Sequence, residues 1–116
     1  MKNNTAGHLA EYMARWFMRL HGYRIIAHNF ITGKGTHAGE VDFIAKRGHL
    51  LVFVEVKKRS SLEEAAYAIK TQQQQRIRKG AQSFLKNNPH YSNYEIRFDA
   101  ILITFPFHIR HIKNAW

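Results

Sequence analysis

Residues 40–57 read EVDFIAKRGHLLVFVEVK, two apolar runs on either side of a turn centred on Arg47 and Gly48. Alternating apolar residues interrupted by a glycine turn are the pattern of a β-hairpin. Side chains on a strand point to opposite faces in turn, so burial favours the register that gathers apolar residues on one side. Pairing Ala45 with Leu50, Phe43 with Val52 and Val41 with Val54 does this. It collects Val41, Phe43, Ala45, Leu50, Val52, Val54 and Val56 on one wholly apolar face and leaves Asp42, Ile44, Leu51, Phe53, Glu55 and Lys57 on the other. A slip of one residue would mix carboxylates into the apolar face. In this register Asp42 is diagonal to Glu55, roughly 7 to 8 Å away, within reach of a shared ion.

Upstream of the hairpin, Leu9, Tyr12, Met13, Trp16, Phe17 and Leu20 recur at three- and four-residue spacing, which predicts an amphipathic helix ending near Gly22, with Asn4 or Thr5 as its cap. Residues 23–30 alternate Tyr23, Ile25 and Ala27 with polar positions and read as a strand; residues 31–39 read as a mobile basic loop. Downstream, Ser60 or Ser61 followed by Glu63 or Glu64 forms a capping box opening a second helical region. One helix over residues 62–86 would be about 38 Å long at 1.5 Å per residue, too long for so small a body, so a break is expected between Ile69 and Gln73. The Asn87-Asn88-Pro89 turn leads to a strand over residues 95–104, with Ile96, Phe98, Ala100 and Leu102 on one face, and a short last strand follows around Phe107, Ile109 and Ile112. The expected class is α/β, a mixed central sheet flanked by helices in the order α-β-β-β-α-β-β.

With 116 residues, two prolines and no repeat or low-complexity linker, the chain is expected to form a single domain over residues 1–116. The lack of cysteine excludes disulfide scaffolds, thiol nucleophiles and thiolate zinc sites, and suits a reducing compartment; a cytoplasmic location is the expectation. No apolar run approaches the roughly 20 residues of a membrane span, and the polar start has no signal-peptide core, so no membrane partner is expected. Eighteen Lys and Arg against eight Asp and Glu give a net charge of +10, which makes polyanions the natural partners. The positive charge is spread along the chain, and Lys34, Lys58, Arg59, Arg76 and Lys79 are the candidate contacts to nucleic acid.

Asp42, Glu55 and Lys57 share one hairpin face. Two carboxylates with room for water and phosphate suit Mg²⁺ or Mn²⁺ better than zinc, and Lys57, two residues from Glu55, can orient water or stabilise charge growing on a phosphate. The rival reading is a set of cross-strand ion pairs on a solvated face, worth about 0.2 to 1 kcal/mol, against which the apolar neighbours Ile44, Leu51 and Phe53 argue. His108 and His111, three apart on a predicted strand, point to opposite faces and make a poor ligand pair. Asp99 reads as the ion-pair partner of Arg97 or of a helix arginine, and Glu40 as a surface charge at a strand end, in preference to a group that supports the metal ligands.

Asp42, twelve residues, then Glu55-x-Lys57 resembles the active-site pattern of the PD-(D/E)xK nucleases, whose fold is called restriction-endonuclease-like; Val41 stands where the pattern's name has proline. Along the whole chain, Gly7-x-x-x-Glu11, HGYRI, GEVDFIA, VFVEVKKR, QRI, RFDAILI and HIKNAW resemble the uncharacterised bacterial YraN-like family, which is similar to archaeal Holliday junction resolvases. The resemblance implies a restriction-endonuclease-like core, Asp42 and Glu55 as metal ligands joined by Glu11, and Lys57 as the catalytic lysine. It also implies a homodimer, for which the apolar C-terminal residues Phe105, Phe107 and Trp116 are the candidate contact; the alternative is that they close the core of the chain itself. Glu11 has a plainer alternative as a first-turn acid favoured by the helix dipole. Gln73 stands where many members of that family have lysine and is assigned no role.

The expected function is therefore nucleic-acid binding with Mg²⁺- or Mn²⁺-dependent endonuclease activity, on DNA rather than RNA, with branched or structured DNA as the expected form. Its alternative is a binding module that keeps the nuclease fold but does not cut, or cuts only with a partner.

Overall fold

A computed structural model describes residues 5–31, 39–58, 70–105 and 108–116. The elements are α1 (Thr5–Leu20), β1 (Arg24–Ile31), β2 (Glu40–Arg47), β3 (Leu50–Lys58), α2 (Thr71–Asn87), β4 (Glu95–Thr104) and β5 (His108–Ile112), with a 3-10 turn over Pro89–Tyr91 before β4. The five strands lie in sequence order in one sheet. β3 and β4 are parallel and the other pairs antiparallel, so the sheet is mixed. A parallel step needs a crossover connection, and α2 lies in it. The expected class and element order are those observed. Asn4, the predicted loop residues 32–38, the capping box, Lys34, Arg59 and Phe107 lie outside the described residues.

The hairpin is where expected, with its register moved by two: Ala45 pairs with Val52 and Arg47 with Leu50, in place of Ala45 with Leu50. The turn is thereby shortened to Gly48 and His49, and Gly48 takes φ +62°, the left-handed conformation a two-residue hairpin turn demands at its first position. A shift of two preserves every face, because the side-chain period is two. Phe43, Ala45, Val52, Val54 and Val56 accordingly pack with Ala10, Ala14 and Met18 of α1. Ile44, Leu51 and Phe53 pack with Ile77, Ala81 and Phe84 of α2. Both faces of the hairpin are buried.

Three expectations are corrected by packing. Val41 leaves the predicted apolar face and joins the α2 cluster, because Gly80 opens the helix surface to it: a methyl on Gly80 would stand 2.9 Å from the Val41 Cγ2. Gly39, just before β2, lies so close to α2 that a methyl there would overlap the Gly80 backbone. In β1 a bulge between Ile25 and Ala27 turns Ala27 to the α2 side while Tyr23 and Ile25 stay with α1. On α1 the seam against the sheet is Ala10, Ala14 and Met18, flanked by Met13 and Phe17. The bulky stripe Leu9, Tyr12, Trp16 and Leu20 stays outside at 47, 52, 45 and 78% exposure, since the alanines let the helix backbone sit closer to the sheet than large side chains would.

Inside the window where the break in the second helical region is expected, α2 starts at Thr71 after Lys70 in extended backbone (φ −82°, ψ 157°); the part of that region before Lys70 lies outside the described residues. Beyond β5 the chain turns back onto β4: the Ala115 N–H donates to the Phe98 carbonyl at 2.7 Å, and the Trp116 ring lies 5.7 Å from that of Phe98. Phe105 packs against the α1 cluster. No helix among the described residues is long and apolar enough to cross a membrane.

Candidate active site

β2 and β3 carry Asp42, Glu55 and Lys57 to one place. The observed register, continued one step past its last pair Phe43–Val54, sets Asp42 directly opposite Glu55, nearer than the expected diagonal. The Val56 N–H donates to Asp42 Oδ2 at 2.8 Å, so this side chain takes a backbone donor where the ladder stops. Glu55 is 7% exposed. Its Oε2 accepts a bond from Gln73 Nε2 at 3.0 Å and lies 3.2 Å from Lys57 Nζ.

A buried and a half-buried carboxyl facing each other across the strands compete for one proton. Burial raises Glu55 most, the negative charge of Asp42 adds to it, and the group is pushed up to about 8 although Lys57 pulls the other way. Burial likewise raises Asp42, against the Val56 N–H, a hydrogen bond from Glu55, and Lys57. The consistent picture is a proton carried by Glu55 and shared with Asp42 near neutral pH, a state that belongs to the pair. Glu11, half-buried on α1, is also raised, first by burial and then by the charge of Asp42. It lies beyond the first turn of α1, so its reading as a first-turn acid is set aside.

The donor chemistry of the pair fits a divalent cation: two crowded carboxyls that now hold a proton between them gain the same relief from a metal ion. Asp42 and Glu55 are the residues that would hold it. Among the described residues no three His, Asp or Glu side chains gather as a ligand cluster, so Glu11 stands near the pair without completing a triad. Glu40 is largely exposed and 3.9 Å from Arg76, the surface charge it was read as.

Gln73 was passed over in the sequence. It reaches Glu55 from α2, eighteen residues away, and no local pattern signals such a contact. One residue along, Gln72 begins a polar wall with Gln75, Arg76 and Lys79 that borders a cavity of about 250 Å³. Two of the expected nucleic-acid contacts, Arg76 and Lys79, thus share one side of α2, the helix whose Gln73 reaches Glu55. Lys58 is exposed at the end of β3, its Nζ 5.8 Å from the Phe105 ring centre.

A second acidic centre lies on β4. Asp99 is fully buried and is the ion-pair partner of Arg97, as expected: Arg97 Nε donates to Oδ1 and Nη2 to Oδ2, both at 2.8 Å. Two further donors were not foreseen, His111 Nε2 at 2.6 Å and the Asn114 N–H at 3.0 Å. Arg97 Nη2 also donates to the Tyr23 hydroxyl at 2.8 Å. Burial alone would raise Asp99, but the bonds from His111, Arg97 and Asn114 outweigh it and hold the carboxyl below its usual range. With every lone pair engaged, this centre has no room for a ligand and ties β1, β4 and β5 together.

Residues 10–103 match the uncharacterised protein family UPF0102. Relatives include a UPF0102 protein of Paramagnetospirillum magneticum, 42% identical over 111 residues that cover 95% of this chain and 85% of the relative. Another, from Nitrobacter winogradskyi, is 45% identical over 111 residues, covering 96% and 91%. Among solved structures, the chain is similar to Hjc of Archaeoglobus fulgidus, a Holliday junction resolvase, at 14% identity and a TM-score of 0.47 over 89% of this chain and 72% of that one. The match over most of its length, together with these relatives, makes this chain a member of the uncharacterised protein family UPF0102.

Proposed function

We propose that residues 1–116 form one nucleic-acid-binding domain that hydrolyses phosphodiester bonds in DNA with the help of Mg²⁺ or Mn²⁺. The observation that carries this reading is the Asp42–Glu55 pair: a buried and a half-buried carboxyl facing each other, with Lys57 Nζ 3.2 Å from Glu55 Oε2. A surface ion pair would leave Glu55 wet and near its ordinary value; here it is buried and pushed up to about 8. When bound, a divalent ion would supply Lewis acidity toward a phosphate oxygen and activate water. Asp42 and Glu55 would hold it, Val56 and Gln73 fix the carboxyl orientations, and Lys57 would stabilise the negative charge that grows on the phosphate. Arg76 and Lys79 hold the strand by its phosphates, beside the site but outside the chemistry.

A second reading, a binding module that does not cut, is favoured by one observation: Glu55 Oε2 is already engaged by both Lys57 and Gln73. One experiment separates the two. Purified protein is offered labelled single-stranded, duplex, flap and four-way-junction DNA with Mg²⁺ or Mn²⁺, beside an EDTA control. Metal-dependent cleavage that Asp42→Ala abolishes supports the nuclease; salt-sensitive binding without cutting of any substrate favours the module.

A further inference from the structure

The hairpin end of the sheet, away from the carboxyl pair, carries charge with no visible purpose. Arg24 and Lys46 are direct cross-strand partners on β1 and β2. Like charges in that position destabilise a sheet, and among the described residues neither forms an ion pair with a carboxylate. Both line a cavity of about 410 Å³ whose other walls include Ile26, His90, Tyr91 and Tyr94, and none of the described residues lining it is acidic. That volume lies within the roughly 300 to 1,000 Å³ of small-ligand sites.

The aromatic wall is held rigid from behind. Tyr91 stacks on Phe84 with ring centres 5.7 Å apart and meets Tyr94 edge-on at 4.9 Å. Tyr94 is also flanked by His49 at 5.1 Å, and Lys46 Nζ lies 5.7 Å from its ring centre. Two opposed cations would be relieved by one anion between them, and adjacent fixed rings offer a surface for a planar group. A bare phosphate would use only the first feature. A nucleoside phosphate uses both, by the combination of cationic groove and stacking ring that serves single-stranded nucleic acid.

We propose that this cavity is a nucleotide site, in which the phosphate sits between Arg24 and Lys46 and the base lies against Tyr94. The ligand is either an unpaired nucleotide of a strand or a free nucleoside monophosphate. A paired base inside a duplex is excluded, because both its faces are already stacked on neighbours. Lys46 is four residues from Asp42 on β2, about 13 Å at the rise of a strand. The site is therefore separate from the carboxyl pair and needs neither metal nor cleavage.

The test uses the full chain in EDTA at low salt, so that failure of the nuclease reading leaves it intact. A labelled ten-nucleotide thymidine strand and a blunt duplex are titrated by anisotropy, and deoxyadenosine monophosphate and inorganic phosphate are followed through the Tyr91 and Tyr94 ring resonances. Tyr94→Leu, which keeps apolar bulk, is expected to weaken the single strand about tenfold, the loss of one stacked base, and the duplex by less than about twofold. Arg24→Ala, an exposed position, is expected to weaken the single strand while leaving the thermal midpoint unchanged or higher, because a like-charge pair has been removed. Ring shifts with the oligonucleotide alone identify a strand as ligand, and shifts with the monophosphate as well admit the free nucleotide. Equal losses on single strand and duplex for both variants, or no ring shift with either nucleotide form, overturn the proposal.

Discussion

The carboxyls of Asp99 and of the Asp42–Glu55 pair are both taken out of water by the same sheet, yet they differ in what surrounds them. Asp99 meets four donors and is held below its usual range; Glu55 has two, Lys57 and Gln73, but also faces the Asp42 carboxyl and is pushed up to about 8. The difference separates two uses of a buried acid. Saturated with donors, Asp99 is finished chemistry that fastens β4 to its neighbours. With one lysine set against two carboxyls, the pair retains an unsatisfied demand that a proton meets now and a cation can meet instead. Burial alone therefore does not mark a site; the balance of donors around the buried group does.

The largest effect that would break this contrast is on stability. Asp99→Ala strands the Arg97 guanidinium and should cost about 3 to 5 kcal/mol in urea unfolding. Asp42→Ala removes one carboxyl of a repelling pair at the expense of the Val56 bond and should change stability by less than about 1.5 kcal/mol, while ending metal-dependent cleavage. Comparable destabilisation by both variants would put the two centres in one structural class. Next in size is Lys57→Ala, expected to lower the cleavage rate by about a hundredfold to a thousandfold with the unfolding midpoint little changed. A wild-type rate in that variant would remove Lys57 from the chemistry.

The pH dependence sharpens the comparison because its signs are opposite. The folded Asp99 has a lowered pKa, so its contribution is present above the unfolded value near 3.9 and is lost as pH falls through the folded one. The folded Glu55 has a raised pKa, so its contribution is present below 4.5 and is lost as pH rises to about 8. Across that upper window stability should decline by up to about 1.4 kcal/mol per pH unit, and Glu55→Gln should flatten the slope. A slope unchanged by Glu55→Gln would show that another group titrates there. The smallest effect is that of Gln73→Ala, which deletes one hydrogen bond to Glu55 and should cost about 0.5 to 1.5 kcal/mol, read in the same unfolding titration.

How far the sequence could see follows from the range of each force. The hairpin faces survived a register error of two because period-two alternation is a local property of the chain, and burial selects the face before it selects the turn. The start of α2 was legible from length alone, and Asp42, Glu55 and Lys57 from their spacing. Gln73, His111 and Val41 were not. Each takes its place from a tertiary contact that no local pattern announces: α2 on β3, β5 against β4, and Gly80 on β2. For α1 the amphipathic pattern was sound as a sign of helix, but the alanine seam, not the bulky stripe, faces the sheet.

Gly39 and Gly80 act on the site as a mechanical stop. Where they meet, the thickness of the molecule is set by two α-hydrogens, the thinnest spacer that a protein chain offers. Gln73 rides on the same helix as Gly80, and Asp42 follows Gly39 by three residues, so the clearance at the glycines gauges how far the amide must reach to touch Glu55. A single methyl at either glycine would act as a shim, tilting α2 off the sheet and opening the gap between amide and carboxyl while leaving every polar residue of the site in the sequence.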